Sequence, residues 1–177
     1  TRHHSELVKA AQRQKWHGSA TGITIDPAGN LNMCCSTANR RQFNTKISDI
    51  EDLGEFFLDT QMSELRQRME SQGLEKLPEC KFCSRAVVNG LQAEVHNYNR
   101  YKIAEPLELR YLEVTTSNVC NQTCATCNSY FSTKWRKIEK HLPEEFQTNA
   151  KPSIIKTPDI YKILNVMTRA ITKEDPY

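Results

Sequence analysis

No apolar run in these 177 residues approaches the ~18 needed to cross a bilayer, and no charged-then-apolar leader opens the chain. A membrane span and a secretory leader are therefore not expected. Hydrophobic residues make up only 38% and aromatics 8%, and the net charge of +3 is too small to argue for a nucleic-acid partner. Glycine is scarce and one-sided: Gly18, Gly22, Gly29, Gly54, Gly73 and Gly90 all precede residue 91. Scattered singly, they make no phosphate-cradling loop. No Ser/His/Asp arrangement is evident either.

Cysteine is what the chain has in quantity. Seven is an odd number, so not every thiol can sit in an internal disulfide, and a reducing, cytoplasmic compartment is expected. The thiols fall into Cys34-Cys35, Cys80-x-x-Cys83 and Cys120-x-x-x-Cys124-x-x-Cys127. Clusters of this kind in a reducing compartment hold metal or do redox chemistry more often than they staple a fold.

The pattern around them is mixed α/β. Ile23 and Ile25 alternate with Thr24, Asp26-Pro-Ala-Gly29 has turn chemistry, and Leu31 and Met33 resume the alternation. This predicts a β-hairpin that ends on Cys34-Cys35. Ser48 with Glu51 predicts a capped helix carrying Ile50, Leu53, Phe56 and Phe57. A second helix carries Met62, Leu65 and Met69 and stops at Gly73, and a compact loop then leads to Cys83. Leu107, Leu109, Tyr111 and Val114 predict a strand over 107–115 that delivers the chain to Cys120. Helical spacing follows in Phe131, Trp135, Ile138 and Leu142, ended by Pro143. A last helix opens on Thr157-Pro-Asp159 with a stripe of Ile160, Leu164, Met167 and Ile171. A short helix near Leu7, Val8 and Ala11 is also suggested.

Three thiolates within eight residues, between a strand and a helix, can converge on one face of an iron cube. A four-iron cluster wants a ligand on each iron, so three from the protein leave one iron for a chelating group. A closed zinc site would want four protein ligands, and a zinc knuckle is the alternative. The segment Leu107-Glu-Leu-Arg-Tyr-Leu-Glu-Val-Thr-Thr-Ser-Asn-Val-Cys120-Asn-Gln-Thr-Cys124-Ala-Thr-Cys127 resembles the first strand and cluster loop of radical S-adenosylmethionine (radical SAM) enzymes. That resemblance implies that Cys120, Cys124 and Cys127 hold a [4Fe–4S] cluster whose open iron binds S-adenosylmethionine. Reductive cleavage would then give a 5′-deoxyadenosyl radical that modifies a substrate, with an electron donor as a further partner.

The segment Ile25-Asp-Pro-Ala-Gly29-Asn-Leu-Asn-Met-Cys34-Cys35, with Pro78-Glu-Cys80-Lys-Phe-Cys83, resembles the twitch or SPASM-like auxiliary-cluster module of the same family. It stands ahead of the cluster loop here, as in a subgroup of viral and microbial sequences. The resemblance implies a second iron–sulfur cluster on Cys34, Cys80 and Cys83, and often a peptide or protein substrate. Neighbours in a strand point to opposite faces, so Cys34 and Cys35 grip one cluster only if the hairpin end bends. The remaining ligand could be Cys35 or His17, or an iron could stay open, and a zinc site on Cys34, Cys35, Cys80 and Cys83 is the alternative.

The expected division is an auxiliary-cluster module over 1–100 and the start of a partial (β/α) barrel over 101–177. The family's Gly-Gly-Glu-like strand has no counterpart after Cys127. The chain is thus expected to be a fragment, or one half of an enzyme that a second chain completes. The rival from another class is a zinc-stabilised binding or assembly module with no catalysis.

Overall fold

The computed structural model describes residues 22–36, 43–98, 109, 111–125, 127–147 and 151–174. The suggested helix near residue 8, and His17, lie outside them. Strands β1 (Gly22–Ile25) and β2 (Leu31–Asn32) form the expected hairpin. They pair antiparallel with Thr24 opposite Asn32 and Ile25 opposite Leu31. In the turn the Gly29 N–H reaches the Asp26 carbonyl at 2.8 Å, and Gly29 takes φ +81°, a region that favours glycine. The Asp26 carboxylate completes the turn by accepting the Ala28 and Asn30 N–H groups, each at 2.9 Å.

Helices α1 (Leu53–Leu58) and α2 (Thr60–Ser71) follow. The first begins later than expected. Ile47–Asp49 forms a 3₁₀ turn instead, and the cap is Asp52, whose carboxylate accepts from Gly54 and Glu55. Asp59 ends α1 and caps α2. The chain leaves α2 through extended Gln72 rather than through a left-handed glycine. Beyond it, the expected loop is helical: 3₁₀ turns at Leu74–Lys76 and Pro78–Cys80, α3 (Lys81–Val88) and α4 (Glu94–Tyr98). Cys80, Cys83 and Val87 stand at helical spacing, a signal too short to outweigh the Pro and Gly around it.

Strand β3 (Tyr111–Val114) pairs parallel with β1, giving the sheet order β2-β1-β3. Parallel neighbours need a long crossover, and residues 26–110 supply one that contains α1 to α4. Gly22 stands opposite Tyr111, where an added Cβ would come within 3.0 Å of the tyrosine ring. The sheet therefore crosses the boundary expected near residue 100.

The fold is mixed α/β. Alternation sorts the sheet into two faces. Ile23, Ile25, Leu31 and Met33, with Leu112 and Val114 beside them, pack on Leu53, Phe57, Met62, Leu65 and Met69. The same core takes in Cys34, Cys80, Cys83, Ile155 and Ile163. Thr24, Asp26, Asn32, Glu113 and Thr115 fall on the other face.

Two later helices depart from expectation. Helix α5 is only Trp135–Glu139, and Ile138 and Leu142 are exposed while Glu139 is buried. Helix α6 (Thr157–Glu174) starts where expected but buries Ile163 and Asp159, leaving Leu164 and Met167 exposed. Lys162 turns this face inward by donating to the Ile47 and Ile50 carbonyls at 3.1 and 2.6 Å. No described helix is long and apolar enough to cross a membrane.

Candidate metal centre

The hairpin hands the chain to Cys34, two residues on from Asn32. The strand itself stops at Asn32, ahead of both thiols; Cys34 is buried and Cys35 exposed. The backbone then turns at Cys35-Ser36, and the Ser36 N–H points to the Cys34 Sγ at 3.4 Å. Cys80 ends its 3₁₀ turn and Cys83 lies in the first turn of α3, both buried. A 2.6 Å ion pair from Arg68 to Glu79 ties this turn to α2.

The four thiols sense one another. Hydrogen bonding with Cys35 and burial push the Cys34 thiol far up, and the charges of Cys35 and Cys83 add to the shift. Burial pushes Cys80 up to about 12, with Cys83 and Glu79 adding and Arg68 opposing. Burial also raises Cys83, against the Val95 and Glu94 N–H groups that favour its thiolate, and the Cys35 charge raises it further. With all three raised above the ordinary thiol value, Cys34, Cys80 and Cys83 are neutral S–H groups at pH 7. A metal centre would displace their protons, since the thiolate is the ligand.

The second group is built differently. Beyond β3, buried Asn118 organises the backbone. Its Nδ2 donates to the Tyr130 and Lys151 carbonyls at 3.1 and 2.8 Å, and its Oδ1 accepts the Ser153 N–H at 2.7 Å. The Cys120 carbonyl accepts from the Lys134 N–H and the Thr133 hydroxyl, both at 3.1 Å. Ser132 donates to the Gln122 carbonyl at 2.6 Å, and the Trp135 indole donates to the Cys124 carbonyl at 3.0 Å. Residues 132–135 thus clamp the loop by its carbonyls, which is why they turn instead of continuing a helix from Phe131. The thiols stay outside the core: Cys124 is exposed, and Cys120 and Cys127 are half-buried.

The cysteine-rich donor set suits a thiophilic group such as an iron–sulfur cluster, and both sets stand on backbone that the fold holds in place. The ligating geometry is not formed, since no group of three or more His, Cys, Asp or Glu side chains among the described residues is arranged to hold a metal ion.

A small open cleft of about 30 Å³ lies over the polar sheet face, lined by Thr24, Asp26, Asn32, Glu113 and Thr115, with Cys34 and Cys35 at one side and Phe131 at another. The Tyr130 hydroxyl donates to the Asp26 carboxylate, tying the segment after the Cys127 loop to the hairpin. Asn118, Ser132, Trp135 and this Asp26–Tyr130 contact were not marked by the sequence. Comparison with protein-family models, with curated proteins and with solved structures gives no match.

Proposed function

We propose that this chain is an iron–sulfur protein of the radical SAM type. Cys120, Cys124 and Cys127 would hold the reactive [4Fe–4S] cluster, and Cys34, Cys80 and Cys83, with Cys35, an auxiliary one. The observation that carries the reading is the loop after β3, whose carbonyls are fastened by Thr133, Lys134 and Trp135 while its three thiols stay out of the core, Cys124 exposed and Cys120 and Cys127 half-buried. A site that must exchange a small-molecule ligand needs such accessibility. A purely structural thiol would be expected in the core, where Cys80 and Cys83 lie.

When bound, the cluster would supply the electron that cleaves S-adenosylmethionine. The chain's own share is to present three thiolates from one anchored loop and to hold Cys34, Cys80 and Cys83 in the core with Met33, Leu77 and Val87. In this reading β3 is the first strand of a partial (β/α) barrel. The substrate in this reading is a peptide or protein.

A second reading is favoured by one observation. Cys34 is influenced by Cys35 and Cys83, and Cys80 by Cys83, so these four thiols are linked and match in number what a closed zinc site wants; this site could hold zinc in a non-catalytic module. Anaerobic loading with iron and sulfide, with zinc offered in competition, separates the two. Brown protein with roughly seven to eight irons per chain supports two clusters. Colourless protein with zinc and no acid-labile sulfide overturns them.

A further inference from the structure

The segment that fastens the thiol loop goes on to form a cationic surface. Once the Thr133 and Lys134 N–H groups have bonded the Asn118 and Cys120 carbonyls, the chain coils through α5 and on to Leu142. The Lys137, His141 and Leu142 N–H groups each bond three residues back, at 3.2, 2.9 and 3.0 Å. Four of the seven residues from Lys134 to Lys140 are Lys or Arg, and His141 follows. Lys134, Lys137 and Lys140 recur every third residue on the side away from buried Glu139, so they share one exposed stripe. His141 is exposed beside them and Arg136 is half-buried.

None of these cations is in an ion pair among the described residues, where the pairs are Arg68–Glu79 and Lys162–Asp159. The exposed Glu144 and Glu145 stand past Pro143 in a turn of their own and pair with none of them. Like charges at this spacing repel one another, and an acidic partner relieves that repulsion. Apolar side chains border the stripe. Ile138 and Leu142 are each 40% exposed, and Val119, between the two fastened carbonyls, is 59% exposed.

We propose that this surface docks a small acidic electron-carrier protein beside the thiol loop. Naming the partner as an electron carrier rests on the iron–sulfur reading: the carrier's reduced flavin or cluster gives up one electron, and the oxidised cluster at Cys120, Cys124 and Cys127 gains it. The stripe supplies the charge complementary to an acidic face, and Ile138, Leu142 and Val119 supply apolar contact beside it. The seat is at the rim of the acceptor, because Lys134 and Trp135 themselves bond the Cys120 and Cys124 carbonyls. A helix lying on a membrane needs a wider apolar face than Ile138 and Leu142 provide. A surface for single-stranded nucleic acid keeps aromatic rings free for stacking, whereas the Trp135 indole is half-buried and tied to Cys124.

The test is calorimetric titration of the reduced, metal-free full chain with two small acidic carriers, a flavodoxin and a two-cluster ferredoxin. Micromolar binding of at least one is expected, weakening by about tenfold or more between about 20 and about 200 mM salt. Lys134→Glu, Lys137→Glu and Lys140→Glu together, all at exposed positions, should weaken it by at least about tenfold. The same charge change at exposed Lys76, Lys81 and Arg85 should leave it within about twofold. Absence of binding to both carriers overturns the proposal, and so does equal loss from the two triple variants. Tighter binding, at the higher salt, of phosphatidylcholine–phosphatidylserine vesicles or of a DNA duplex also overturns it, and assigns the stripe to a membrane or to nucleic acid. Because the titration contains no metal, its failure strikes this surface. Failure of iron loading strikes the cluster reading instead and leaves the surface as an acidic-protein site.

Discussion

The two cysteine groups are opposites in construction. Cys34, Cys80 and Cys83 are side chains of the core, and their surroundings hold the thiols protonated. Cys120, Cys124 and Cys127 ride on a loop fastened by backbone carbonyls, with little packed around the sulfurs. Filling the first site must exchange protons for metal inside the core, so metal and fold stability are coupled there. Filling the second changes little in the packing. The contrast matches a shielded auxiliary centre and an accessible reactive one.

Stability should separate the groups most widely. Leu77→Ala, next to the Pro78–Cys80 turn, should cost about 2–5 kcal/mol in urea unfolding, because Leu77 is almost wholly buried. Cys124→Ser on the exposed loop should change the same measurement by less than about 0.5 kcal/mol. A comparable loss in both would show that the loop is part of the core. Asn118→Ala should cost about 2–3 kcal/mol, since it strips partners from two carbonyls and one N–H at a buried position. It should also make the Cys120–Cys127 loop more open to protease.

Alkali should act on the buried group. The Cys80 pKa is raised from 9.0 to about 12 on folding, so its contribution is intact below pH 9 and lost as pH climbs toward 12. The reduced, metal-free chain should thus lose stability across that window, and Cys80→Ala should flatten the slope. An unchanged slope would place the effect elsewhere. The smallest contrast is kinetic: iodoacetamide at pH 8 should modify Cys35 and Cys124 before Cys34, Cys80 and Cys83, as read by mass spectrometry of peptides. Equal rates would mean that the first group is open.

What the sequence revealed follows from how local each signal is. The hairpin was legible because alternation and an Asp-Pro-Ala-Gly turn lie within twelve residues. Helix α3 was missed because eight residues between a proline and a glycine hold barely two turns of pattern. The face of α6 was misread because Ile160, Ile163 and Val166 are the side chains packed on the core, with Lys162 reaching carbonyls more than a hundred residues away beside them. Parallel pairing of β1 with β3 is likewise long-range, and nothing in either strand names its partner. The site residues were visible as spacing, whereas the clamp from Ser132 to Trp135 was hidden inside what looked like a helix.

The most direct trial of the two-centre account is iron and acid-labile sulfide per chain after anaerobic loading, in the native chain and in a combined Cys120→Ala, Cys124→Ala, Cys127→Ala variant. These substitutions leave the core untouched, so the variant should fold and drop from roughly eight irons to about four. A variant that keeps the native count, or a native chain that takes up no sulfide, would contradict it.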